Sequence, residues 1–126
     1  MRLVIGITGS TGVIYGIRML EVLKELGIET NLIMSEWAQK CITMETEYDL
    51  NHVKSLATGI SDDANMAANV SSGTHKTDGM IVIPCSMKTL SGIANGYDET
   101  LVARAAGVIL KESRKLILVA RETPLT

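Results

Sequence analysis

The sequence predicts an α/β fold, a three-layer α/β/α sandwich around a mainly parallel sheet. Short continuous apolar runs at residues 3–7, 80–83 and 116–119 have the character of strands buried on both faces. Stretches with apolar residues at helical spacing lie between such runs. Turns rich in Gly, Ser and Thr join a strand end to a helix start at residues 8–12 and again around 84–89.

Taken in order, Leu3, Val4, Ile5, Gly6 and Ile7 form the first predicted strand. Beyond the turn, Ile14, Ile17, Leu20, Leu23 and Leu26 recur at helical spacing, with Met19 and Val22 widening the stripe, and Gly27 supplies a stop. Residues 29–34 read as a second strand, completing a β-α-β unit that crosses over right-handed. Ser35 caps a helix running from Glu36 to about Thr43. Between 47 and 75 the pattern weakens: a short helix near 51–57 precedes polar, Gly-containing and Asp-rich sequence. A strand returns at 80–83, then a helix through Leu90, Ile93 and Ala94, a turn at 95–98, and a longer helix from Leu101 to about Glu112. Residues 115–119 make the last strand.

The chain of 126 residues reads as one domain, 1–126. Apolar residues make up 46%, with no Phe and one Trp, so the core is aliphatic. A net charge of −2 gives no electrostatic reason to expect nucleic acid or an anionic membrane as partner. No apolar run approaches the roughly 18 residues of a membrane span. Met1 and Arg2 lead directly into a strand without signal-peptide layout, so a cytoplasmic location is expected. Cys41 and Cys85 lack C-x-x-C spacing, which indicates neither a disulfide framework nor a zinc site.

The chemistry concentrates at the predicted strand ends. In Thr8-Gly9-Ser10-Thr11-Gly12 the glycines allow close backbone approach, and the hydroxyls of Thr8, Ser10 and Thr11 can donate to phosphate oxygens. A ligand-free tight turn is the bland alternative. The loop is not a P-loop, and glycines at 6, 9, 12 and 16 do not accommodate G-x-G-x-x-G. Pro84-Cys85-Ser86-Met87-Lys88-Thr89 opens a helix, placing backbone N–H groups, two hydroxyls and a lysine where anions bind. Lys88 either neutralises a phosphate or is an exposed first-turn lysine. A cation there opposes the helix dipole, which favours the ligand. Ser35 is a plain N-cap, a ligand contact, or both. Arg121 is an anion ligand or a rim residue paired with Glu122. Cys85 reads as a small buried residue, and His52 and His75 as surface residues. Glu45 lies beside Thr46 after the predicted helix, and nothing in its surroundings lifts it above a solvated glutamate.

Together these segments resemble the UbiX-type flavin prenyltransferases and the B subunits of non-oxidative phenolic (hydroxyarylic) acid decarboxylases. The resemblance rests on residues 6–16, on Ser35-Glu36-Trp37-Ala38 with Glu45-Thr46, on 71–80 and on Pro84 through Leu90. It continues in Arg104-Ala105-Ala106, Leu110-Lys111-Glu112 and Arg121 through Leu125, and covers the whole chain. It implies a Rossmann-like, flavodoxin-like domain that binds FMN and needs no metal. It implies further that a dimethylallyl group from dimethylallyl phosphate is joined to reduced FMN, making the prenylated FMN used by UbiD-type decarboxylases. Gly9, Ser10, Thr11, Ser35, Ser86, Met87, Lys88, Thr89 and Arg121 would contact FMN, and Glu45 would be the catalytic acid/base. High-order homo-oligomers are expected.

Family members continue past the Arg-Glu-Thr-Pro-Leu segment, so the chain is expected to be short at its C-terminus and to lack part of the prenyl-donor site. That keeps a second function open, a flavin-binding accessory subunit with little activity of its own. A related cysteinyl decarboxylase ranks low, since no histidine is well placed. An NAD-dependent dehydrogenase fails on glycine spacing and on Tyr-x-x-x-Lys: four residues after Tyr15, Tyr48 and Tyr97 stand Met19, His52 and Leu101.

Overall fold

A computed structural model describes residues 1–9, 12–63, 77–96 and 100–120, apart from the side chain of Asp62. The strands are β1 (Arg2–Ile7), β2 (Glu29–Met34), β3 (Gly59–Asp62), β4 (Gly79–Cys85) and β5 (Lys115–Ala120). The helices are α1 (Val13–Glu25), α2 (Glu36–Glu45), α3 (Leu50–Ser55), α4 (Met87–Ala94) and α5 (Leu101–Lys111). The strands form one sheet of order β3-β2-β1-β4-β5, and every neighbouring pair is parallel.

The alternating strand residues build two cores. Ile5, Ile7, Leu32, Met34 and Ile83 meet Val13, Ile17, Leu20 and Leu23 of α1, together with Ala38, Cys41 and Ile42 of α2 and Val53 of α3. On the other face Val4, Ile33, Met80, Val82 and Cys85 meet Leu101, Val102, Ala105, Ala106 and Ile109 of α5. Helix α1 packs directly on the sheet at Gly16, which has no side chain: a Cβ there would strike the Ile83 carbonyl and come within 2.9 Å of two Ile7 carbons. Gly27 ends the segment after α1 at φ +72°, a conformation that favours glycine.

Two expectations change. The polar stretch after α3 contains β3, held by parallel pairing of Asn31 through Met34 with Gly59 through Asp62. Helix α2 also runs two residues beyond Thr43, so Glu45 is its last residue rather than following it. The edge strand β5 turns Leu116 and Leu118 toward the second core, while Ile117 and Val119 remain 45% and 37% exposed. Among the described residues, no helix is long and apolar enough to cross a membrane.

Candidate functional site

The chain builds outward from β1 through β2 to β3, then returns to the far side of β1 with β4 and β5. At such a reversal the connections leave the carboxyl ends of the strands in opposite directions and open a crevice. Here the crevice is a cleft of about 540 Å³. Thr8 and Gly9 line it from the end of β1, and Ser35, Glu36 and Trp37 from the end of β2 and the first turn of α2. Ser86, Lys88 and Thr89 enter from α4, Thr100 and Val102 from the start of α5, and Asp63 from beyond β3.

Three helices start at this cleft, each capped by a hydroxyl. Ser35 Oγ accepts from the Ala38 amide at 3.0 Å, Ser86 Oγ from Thr89 at 3.2 Å, and Thr100 Oγ1 from Ala103 at 3.2 Å. Each cap satisfies one orphan donor and leaves the first amides to other partners. At α5 those partners belong to the chain itself: the Leu101 amide donates to the Asp63 carbonyl at 2.8 Å and the Val102 amide to Asp63 Oδ1 at 2.9 Å. The positive end of α5 is therefore already answered by a carboxylate. Helix α2 carries Glu36 in its first turn, whereas α4 carries Lys88 there and no acid. Of the three helix starts, α4 is the one best matched to an anion. The Ser86 hydroxyl also donates to Thr89 Oγ1 at 2.9 Å, so the Thr89 hydroxyl proton can point at a ligand.

Thr8 does something the sequence does not suggest. Its side chain is buried; the hydroxyl donates to the Pro84 carbonyl at 2.8 Å and accepts from the Ser86 amide at 2.7 Å. The proton expected to serve a phosphate is committed to the protein, and the residue instead clasps the ends of β1 and β4. Cys85 is fully buried beside the cleft, and burial pushes its thiol up to about 11, so it is no thiolate at neutral pH.

Gly9, Ser35, Ser86, Lys88 and Thr89 thus come together at one cleft. Met87, the first residue of α4, is half-buried and is not among its lining residues. Ser10, Thr11 and Arg121 lie outside the described residues, as does His75. Glu45 is exposed at the opposite end of α2 from Ser35, about 15 Å away along the axis at 1.5 Å per residue, and does not line the cleft. Sequence reasoning did not single out Trp37, Asp63 or Thr100 as site residues. Thr100 could have been found as a hydroxyl directly before an apolar helical stripe. Asp63 could not, because it follows a strand the pattern does not reveal.

A profile of the flavoprotein family matches residues 1–126. A probable UbiX-like flavin prenyltransferase from a Streptomyces species is 54% identical over 127 residues, covering 100% of this chain and 64% of its own length. The crystal structure of AnUbiX (PadA1) in complex with FMN and dimethylallyl pyrophosphate aligns with a TM-score of 0.97 at 50% identity, over 99% of this chain and 66% of that one. A dodecameric FMN-dependent UbiX-like decarboxylase from Escherichia coli aligns with a TM-score of 0.98 at 53% identity, over 100% and 69%. The chain therefore spans 64% of the length of that Streptomyces relative.

Proposed function

Because the chain belongs to the flavoprotein family, in its UbiX-like group, we propose that it binds FMN across the cleft and acts as a flavin prenyltransferase. In this reading a dimethylallyl group passes from dimethylallyl phosphate to reduced FMN, and the prenylated FMN serves a UbiD-type decarboxylase in the same cytoplasm. The observation that carries the reading is the meeting of an uncommitted helix start bearing Lys88 with the hydroxyls of Ser35 and Thr89 at the sheet's reversal point.

The residues present fit the group. The cleft volume falls within the ~300–1,000 Å³ usual for small-molecule sites, with a polar rim for a phosphate and an apolar wall from Trp37, Val102 and Ala103. Gly9, Ser35, Ser86, Lys88 and Thr89 would hold FMN, with Ser10, Thr11, Met87 and Arg121 as further proposed contacts. Reduced flavin supplies the electron-rich partner. The chain's task is to place it: Lys88 and the helix-end amides of α4 would hold the FMN phosphate, and as the allylic C–O bond breaks its electron pair leaves on the departing dimethylallyl phosphate. The flavin atom that takes the dimethylallyl carbon would give up one proton in exchange, and Glu45 is the proposed base for it. Its distance from the cleft of its own chain means that it would act in the cleft of a neighbouring copy, so a homo-oligomer is part of the proposal.

That distance also favours a second reading, a flavin-binding subunit without turnover of its own. Anaerobic incubation with reduced FMN and dimethylallyl phosphate, followed by mass spectrometry of the released flavin, separates the two. Flavin heavier by one prenyl group, lost in Glu45→Gln, is the expected result. Bound but unmodified FMN would give the second reading the advantage, and no bound flavin would sink both.

A further inference from the structure

We propose that Trp37 is the aromatic wall against which the ring system of the bound flavin lies, and thus a binding residue of the cleft; this rests on the FMN reading above. The indole is the sole tryptophan of the chain and the sole aromatic side chain lining the cleft among the described residues. It is 54% exposed, although Ala38, Cys41 and Ile42 of the same helix are buried in the core. An exposed apolar side chain alone means little. This one, however, is held at the cleft by close contact with backbone. A Cβ on Gly9 would collide with Cβ, Cγ and Cδ1 of Trp37, so the absence of a side chain at position 9 is what lets the indole occupy its place.

A cation also lies near the ring. Lys40 lies one turn further along α2 with Nζ 5.9 Å from the ring centroid, and is kept nearby by Glu36 at 3.9 Å. The one cationic side chain of the described lining, Lys88, lies at α4 with the hydroxyls of Ser86 and Thr89, whereas the apolar part of the lining is Trp37 with the small or aliphatic Gly92, Val102 and Ala103. A ligand with one anionic end and one flat heteroaromatic end has one orientation that satisfies both regions: phosphate toward the start of α4, ring against the indole.

The test is a titration of the full chain with oxidised FMN, and in parallel with riboflavin, followed by flavin fluorescence for wild type, Trp37→Phe and Trp37→Leu. Contact with an indole quenches flavin emission by electron transfer. The wild-type complex is therefore expected to be nearly dark and the Trp37→Leu complex bright, with Kd raised about tenfold for both ligands. Trp37→Phe should keep most of the affinity while regaining emission, which a merely structural role would not produce. Equal Kd and equal emission in all three proteins would overturn the proposal while leaving FMN binding intact. Wild type that binds no FMN would instead overturn the reading on which it rests. Should Trp37→Leu fail to fold, as judged by circular dichroism, the emission of the Trp37→Phe complex alone decides between these outcomes.

Discussion

The Thr8 hydroxyl joins two segments that the chain separates by 76 positions, donating to Pro84 and accepting from Ser86 in a buried setting. Removing it leaves the part-buried Ser86 amide without its partner, while the Pro84 carbonyl keeps the Thr8 amide at 3.2 Å, and the orphaned donor carries a desolvation penalty larger than the net value of a formed bond. Thr8→Val, which keeps the shape, is therefore expected to lose about 2 kcal/mol in urea unfolding, while Thr8→Ser should stay near wild type. The cap at Ser35 was legible in the sequence because a cap and its helix are local. The clasp at Thr8 was not, since nothing near position 8 announces a partner at Pro84. Trp37 escaped for a related reason: only the packing against Gly9 distinguishes it from an ordinary surface aromatic.

Two helical glycines, one facing the sheet and one facing solvent, sit in opposite surroundings. In an exposed helix interior, replacing Gly by Ala gains roughly 1 kcal/mol of helix propensity. Gly107 lies in α5, and a Cβ there meets nothing within 4 Å, so Gly107→Ala should stabilise by about that amount. At Gly16 the Cβ would run into the Ile83 carbonyl and Ile7, and overpacking of ~1–3 kcal/mol outweighs the propensity gain. Gly16→Ala should therefore lower the unfolding midpoint while Gly107→Ala raises it, in one pair of denaturant titrations. Several other elements follow from local signals, apolar runs for β1, β4 and β5 and helical stripes for α1 and α5. Strand β3 is the exception. Gly59, Ile60, Ser61 and Asp62 offer a single large apolar residue, and it is 49% exposed. Such an edge strand exists through its ladder with β2 rather than through any pattern of its own.

At the scale of the whole molecule, the sheet divides the labour between its ends. The carboxyl ends open the cleft, while the amino ends are tied by Arg2 to Glu29 at 3.1 Å and by the Arg2 amide to Asp78 at 2.8 Å. Ligand binding at the open end should stabilise the fold by mass action. FMN at a hundred times its Kd is worth ~2.7 kcal/mol, a rise of roughly 10 °C in Tm for a chain of this size. Differential scanning fluorimetry with and without FMN checks this, and an unmoved Tm would count against binding at the cleft. The parallel arrangement carries a practical corollary. Met1 precedes the central strand at the amino end, where its carbonyl accepts from the Glu29 amide at 3.2 Å. Thr8 and Gly9 stand at that strand's other end, about 20 Å away at 3.3 Å per residue. A fluorescent label attached at position 1 would therefore sit at the opposite end of the strand from the cleft, clear of anything bound there.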